Sequence, residues 1–418
     1  MARDVLTHLA DASNEEAENL RRASLLYEGV LQENEDDETF GDFDTPYIDS
    51  YANQGTQAFI TMTNLSLSEF NRLWSLCECE GNAAWYEGRG RKNRVSAKDA
   101  FFMLLTLLKH YNTWDKHAAD FGISLPTFEK MVMRMMRLVE PVLVSQLVTQ
   151  VNMKNQLESG LSFANHPEAL YATDVKFQPA YRPNGPFLDV KRYFSPKHKL
   201  YGYKLEGSVA MPGPYVDVSD HHPGSASDVT IFMTRIDKHR LMLTKTDDDK
   251  KMVDIGEGSS AFPNLWATLH DKGYQGVDDA IRSIRPTKKP KNASMTRQEL
   301  KGNNRVSSDR VLVENMFGRT CSLWKIAYAT FTWSEEKYDL VQCLVWALTN
   351  FHTSLHPLRA QDKEFYSSVM ALYISMAEER VEKKKRQRQA SRDRRQVRLD
   401  LDRSSRDGSM GTQYSQGY

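Results

Sequence analysis

Apolar positions along the chain change period twice. Residues 65–77, within "NLSLSEFNRLWSLCEC", place Leu65, Leu67, Phe70, Leu73, Trp74 and Cys77 at helical spacing behind serines suited to capping. "EGRGRKNRVS" follows as a basic linker, so 61–95 reads as a short helical segment and linker. Residues 96–160 form a second helical block. Ser96 precedes "AKDAFFMLLTLLKHY", Gly122 closes "TWDKHAADFG", and Ser124 opens "SLPTFEKMVMRMMRLVEPVLVSQLV", with Pro126 in a first turn that tolerates it. Helix, glycine turn, helix predicts a helix-turn-helix whose second helix can enter a DNA major groove, or a plain three-helix bundle. Met131, Met133, Met135 and Met136 favour core packing of that helix, while Thr127, Lys130, Arg134 and Arg137 can face phosphate.

From 168 to 290 the period shortens to that of strands: "ALYATDVKFQP", "FLDVKRYFS", "LYGYKLEGSVA" and "YVDVSD" are rich in Val, Tyr and Phe and are separated by turn signals. A helix over "SASDVTIFMTRIDKHRLML", capped by Ser227 or Asp228, leads to the polar insert "TKTDDDKKMVDIGEGSS". The strand "NLWATLHD", a helix "VDDAIRSI", a strand "IRPTKK", the basic loop "KPKNASMTRQELKGNNR" and a helix from Ser308 onward complete the series. The expectation is an α/β fold: a mixed five-stranded sheet with flanking helices over 165–355, preceded by an all-α block and followed by a C-terminal helix over 356–376.

Charge changes the picture at the ends. The net charge is zero, yet 33–44, "ENEDDETFGDFD", carries seven acids and no base, and 380–398 is dominated by Lys and Arg. Both ends, 1–60 (with at most a short helix) and 377–418, read as solvated disordered tails. The run Lys383, Lys384, Lys385, Arg386 reads either as a nuclear address or nucleic-acid arm, or, equally, as an inert solvated tail. Four cysteines without a CxxC pair make neither a disulfide framework nor a zinc site, which suits a reducing compartment. The N-terminus lacks the apolar core of a signal peptide, and "AFFMLLTLL" is too short to span a bilayer, so a soluble intracellular protein is expected.

Three acids occupy strategic places. Asp174 lies in the first strand, Asp271 ends the fourth, and Glu314 lies on the helix "SSDRVLVENMFGRTCSLWKI", where Arg310 shares its face four residues earlier. If the first and fourth strands are neighbours, Asp174 and Asp271 converge and the helix lays Glu314 across them. Such a cluster suits Mg²⁺ or Mn²⁺, hard cations that take oxygen ligands, and two such ions can drive an in-line phosphodiester displacement. Lys288, Lys289 and Lys291 with Arg305 and Arg310 place positive charge where DNA would be drawn to an acidic site. Asp220, His221 and His222 read as a polar turn, and Lys197, His198 and Lys199 as a hairpin turn able to meet DNA.

"YATDVKFQP", "YFSPKHKLYGYKLE", "HHPGSASDVTIF", "LHDKGYQG" and "SDRVLVENMFGR", taken together and in order, resemble the DDE endonuclease domain of PIF/Harbinger-type transposases and of nucleases derived from them, over about 168–352. The resemblance implies an RNase H-like fold with Asp174, Asp271 and Glu314 as catalytic, metal-binding triad and Arg310 orienting Glu314 or a phosphate. Asp228 reads first as a helix cap and second as a supporting site residue; Ser227 stands where many relatives have histidine. The implied function is a nuclear transposase, active as a homo-oligomer, that cuts DNA and joins the strand to target DNA, sometimes with a Myb-like DNA-binding partner. Alternatives are a DNA-binding protein of the same fold without catalysis and a nuclease without strand transfer.

Overall fold

A computed structural model describes residues 45–87, 94–289 and 294–410. The acidic stretch 33–44, most of the basic linker and Lys291 lie outside the described residues. Four helices open it: α1 (Pro46–Ala52), α2 (Thr56–Thr63), α3 (Leu67–Ser75) and α4 (Glu78–Tyr86). The first two stand largely where an acidic disordered tail was expected. They are ordered because Ile48, Phe59 and Ile60 find a core. Phe59 packs on Phe70 and Phe102, and the Ile48 amide donates to Asp99 at 3.1 Å. Ser66 and Glu69 form a full capping box at the start of α3, which satisfies two of the helix's orphan amides.

Helix α5 (Ala97–His110) is apolar nearly all round and accordingly buried on all sides. After α6 (Trp114–Asp120), Gly122 adopts φ +63° and α7 (Leu125–Leu147) begins. Phe128, Val132, Met135, Met136, Val139 and Leu143 of α7 are completely buried, and the helix packs on α5 and on a later helix, α13 (Tyr338–Leu355). One apolar cluster therefore runs from Phe101 through Met136 to Trp346. The block shares its core with the sheet domain, so α7 is wedged between partners along its apolar face.

After α8 (Met153–Glu158) come β1 (Ala169–Pro179), α9 (Phe187–Lys191), β2 (Phe194–Ser195), β3 (Leu200–Val209), β4 (Tyr215–Val218), β5 (His222–Pro223), α10 (Asp228–Thr234), α11 (Ile236–Leu243), β6 (Ala267–Leu269), β7 (Ser283–Ile284), α12 (Arg297–Leu323) and α14 (Ala360–Met410). The sheet is mixed, in the order β2-β3-β1-β6-β7: β1 pairs antiparallel with β3 and parallel with β6, and β6 is parallel to β7. Short β4 and β5 also pair with β3, making seven strands where five were expected. This mixed α/β architecture with a helical N-terminal block is consistent with an RNase H-like fold.

Several elements depart from the expected series. "FLDVKRYFS" is a one-turn helix and a two-residue strand, and "VDDAIRSI" forms turns whose Val277 and Ile281 are buried as anchors. Helix α12 starts at Arg297 and not at Ser308, behind a capping box of Thr296 and Glu299. Its first turns carry no apolar stripe, so periodicity alone does not announce them. The largest difference is α14, a single 51-residue helix where a short helix and a disordered tail were expected. Between Leu358 and Gly408 there is neither proline nor glycine, and Glu382–Lys385 and Gln389–Asp393 pairs support the exposed turns.

Helix α14 lies hard against α12. A Cβ on Gly318 would sit 1.7 Å from the Asp362 carbonyl oxygen. Gly318→Ala is expected to force the helices apart and cost about 1–3 kcal/mol or more, read as a lower urea midpoint with an unchanged slope.

Candidate active site

The parallel ladder decides where the acids go. Ala172 of β1 is registered with Leu269 of β6, and Asp174 and Asp271 each lie two residues further on. Equal, even offsets from a registered pair bring the two side chains to the same face, with Asp174 midway along β1 and beside it Asp271 just past the carboxyl end of β6. In open α/β sheets this is where ligands bind. Asp271 opens a turn whose Tyr274 amide returns to its carbonyl at 3.0 Å. In the next turn Gly276, with φ +83°, takes the left-handed conformation, and Gly273 does not. On the other side Asp174 faces Gly207 of β3. A Cβ at Gly207 would meet the Trp346 ring at 2.5 Å, so glycine lets α13 pack beneath the site.

Arg310 joins the two aspartates. Its Nη2 donates to Asp174 Oδ2 at 2.9 Å and its Nη1 lies 3.5 Å from Asp271 Oδ1. Neighbouring Asp309 anchors this part of α12 to the segment before β1, accepting from His166 at 2.9 Å and from Asn165. Glu314, one turn beyond Arg310, pairs with Lys363 of α14 at 3.1 Å. Half-buried Tyr366, one turn after Lys363, has its phenol pushed far up, by burial first and then by surrounding negative groups that include Asp174 and Glu314. Both carboxylates thus act on one neighbourhood.

Asp228 differs from its expected rank. Ser227 caps α10, accepting from the Thr230 amide at 3.1 Å. Asp228 is free to bind Lys204, whose Nζ donates to Asp228 Oδ1 at 2.9 Å and to the Ala226 carbonyl at 2.7 Å. Its charge reaches Asp174, whose carboxyl is pushed up to about 6. Burial is the main cause; Asp228 and Asp271 add to it, against the opposing pull of Arg310 and of the Val175 amide. Lys204, Lys363 and Tyr366 were not singled out from the sequence. Lys363 carries no sequence signal, since it lies outside the strand region and reaches the site only because α14 folds back on α12.

The donor set suits a hard divalent cation: oxygens only, mutually repelling, and neutralised here by Arg310 and Lys363. Because protons compete for Asp174, affinity for Mn²⁺ is expected to fall as pH drops through about 6. Calorimetry should show about tenfold weaker binding at pH 5 than at pH 7.5, one unit below that value being one decade. Linkage runs the other way for the metal-free fold. A raised carboxyl binds protons better folded than unfolded, so this group's contribution to stability declines as pH rises from about 4 through 6.

Among the described residues, the one group of three His, Cys, Asp or Glu side chains with ligand atoms within 4.8 Å is Glu206, Asp217 and His239, and not the expected triad. Arg235 bridges Glu206 and Asp217, both at 2.5 Å, Lys238 also pairs with Asp217, and His239 lies 2.9 Å from Glu206. Those cations already balance the acids, making a buried ion-pair network that fastens α11 to β3 and β4.

The cationic residues expected to meet DNA fall apart into groups. Lys130, Arg137, Lys288, Lys289 and Arg305 are exposed, as is Thr127. Arg134 is not free for phosphate: it donates to the Ala84 carbonyl at 2.7 Å and lies over the Trp85 ring, tying α7 to α4. His198 is stacked on Phe177 at 4.4 Å, and burial with Lys197 and Lys204 nearby pushes its imidazole down to about 4. His221 is clamped between Glu335 and Asp339 at 2.9 Å each. Among the described residues no helix is long and apolar enough to cross a membrane.

Comparison with known proteins finds likeness at the level of sequence. The chain is similar to a probable transposase for insertion sequence element IS702 from Microchaete diplosiphon, 22% identical over 298 residues that cover 71% of this chain and 95% of the relative. No solved structure matches it. Residues 173–350, which include Asp174, Asp228, Asp271, Arg310 and Glu314, match the model of the DDE superfamily endonucleases.

Proposed function

We propose that the protein is a DNA transposase of the PIF/Harbinger type, with Asp174, Asp271 and Glu314 as its catalytic acids. The observation that carries this reading is the equal offset of Asp174 and Asp271 from the Ala172–Leu269 register, with Arg310 spanning both, inside the matched endonuclease region. Mg²⁺ or Mn²⁺, two ions in this reading, held by the three acids would supply neutralisation of phosphate charge and a more acidic bound water. The chain's own residues do the rest. Arg310, mostly buried, holds the aspartates together before substrate arrives, and Lys363 and Lys204 hold Glu314 and Asp228. Exposed Lys288, Lys289 and Arg305, with Lys291, supply positive charge for the DNA backbone. Nuclear localisation, assembly into oligomers and cooperation with a Myb-like DNA-binding protein belong to the same proposal.

The test is incubation of the full chain, Mg²⁺ or Mn²⁺, a labelled duplex carrying the inverted repeats that flank the coding sequence, and a plasmid target. Nicked and plasmid-joined products are expected. Nicks without joining would replace strand transfer by nuclease action alone, and metal-independent binding without nicks would replace catalysis by DNA binding.

A further inference from the structure

Helix α14 does more than close the site. From Lys363, paired with Glu314, it runs through a buried half anchored by Phe365, Val369, Tyr373 and Ala377. From Val381 to Asp400 every residue is exposed. At about 1.5 Å per residue, Arg380 lies roughly 26 Å and Arg398 roughly 52 Å from Lys363 along the helix axis. The projecting part is not uniformly charged. Glu382, Asp393 and Asp400 are separated by 11 and 18 residues, about three and five whole turns, and so share one face. Arg380, Lys384, Arg388, Arg395 and Arg398 share another, since offsets of 4, 8, 15 and 18 keep them on one side.

At its root the cationic side meets the body. The Arg380 guanidinium lies over the Tyr201 ring at the start of β3, 4.5 Å from its centre. Beside it a cleft of about 460 Å³ is bounded by the turn Lys197–His198–Lys199 and by Glu378, Glu382 and Lys385 of α14. Two elements distant in sequence thus meet in a cleft whose three lysines outnumber its two acids, roughly 26 Å along α14 from Lys363. The projecting segment has no apolar seam: Val381, Val397 and Leu399 are too sparse for the heptads a second copy would need.

We propose that the exposed half of α14, with the Lys197–Lys199 turn, is a rigid arm for the phosphate backbone of duplex DNA, holding it about 8–15 base pairs from the catalytic acids at the usual 3.4 Å per pair. This inference rests on the endonuclease reading for its substrate class, but its test needs no chemistry. Each phosphate that the arm neutralises releases condensed counterions, so the arm should show itself in the salt dependence of binding.

Fluorescence anisotropy of the full chain with a random-sequence 24-base-pair duplex, at several salt concentrations and without divalent metal, reads this directly. The variant K384Q/R388Q/R395Q/R398Q keeps good helix formers and should keep the far-ultraviolet helix signal. Its log–log salt slope is expected to shrink by about 0.9 for each phosphate no longer neutralised, up to about 3.6 for four. Replacing the three arginines by lysine should preserve the slope, and E382Q/D393N/D400N, on the other face, should leave binding equal or slightly tighter. An unchanged slope in the quadruple glutamine variant would overturn the proposal, as would a loss confined to single-stranded RNA or to anionic vesicles. If the arm variant loses duplex binding while the wild-type protein nicks nothing, the arm stands and the catalytic reading falls.

Discussion

Asp271→Asn should abolish metal-dependent nicking while leaving the fold in place. The loss should exceed the roughly 10–100-fold that removal of an outer-shell metal partner costs, since Asp271 offers its oxygens directly beside Asp174. The stability change should be small, within about 1 kcal/mol, because the side chain is 46% exposed and meets Arg310 at only 3.5 Å. A second readout separates this from general damage. Asp271 is one of the charges that push the Asp174 carboxyl up, so removing it should move the pH midpoint of residual Mn²⁺ binding downward. Nicking at near wild-type rates in the variant would remove Asp271, and with it the proposed triad, from the chemistry.

Arg319→Ala is the substitution expected to cost most in stability. Arg319 and Asp362 form a two-armed pair, Nε to Oδ1 and Nη2 to Oδ2 at 2.9 Å each, with side chains only 2% and 4% exposed. The same guanidinium holds the His356 carbonyl at 3.0 Å and the Pro357 carbonyl at 3.3 Å, fixing the turn that leads into α14. Truncation leaves a buried carboxylate without its charge partner, held only by the Arg359 amide at 2.7 Å, a loss of about 3–5 kcal/mol. The melting temperature should fall by on the order of 10 °C, at the few degrees per kcal/mol usual for a domain of this size. Activity should fall as well, because α14 carries Lys363 to Glu314. The double change Arg319→Met, Asp362→Leu should recover much of the stability. An Arg319→Ala protein that melts with the wild type would show that α14 is held by other interactions.

These two residues differ in how legible they are along the chain. Asp271 stands out because an acid after an apolar strand and before a glycine turn is a local pattern, and the motif around Glu314 is likewise contiguous. Arg319 and Asp362 carry no such sign, since 43 residues separate them and each alone is an ordinary helix charge. Strand β1 and the helices α5 and α7 are readable because their periods are strong and uninterrupted. The start of α12 is not, as polar capping and propensity set it, and "VDDAIRSI" misleads because two buried anchors mimic a helical stripe. The C-terminal half of α14 reads as disorder on charge alone, although the absence of proline and glycine points to helix.

By itself the sequence determined the class of architecture, the order of strands and helices around the acids, and the oxygen-only chemistry of Asp174, Asp271 and Glu314, because periodicity and residue type are local properties. Only the tertiary structure decided that β1 and β6 are neighbours, so that Arg310 reaches both Asp174 and Asp271, that Arg134 serves the fold, and that Lys204 and Lys363 meet acids 24 and 49 residues away. Those are relations between segments, set by which faces must be buried together. No window of sequence short enough to have a period contains them.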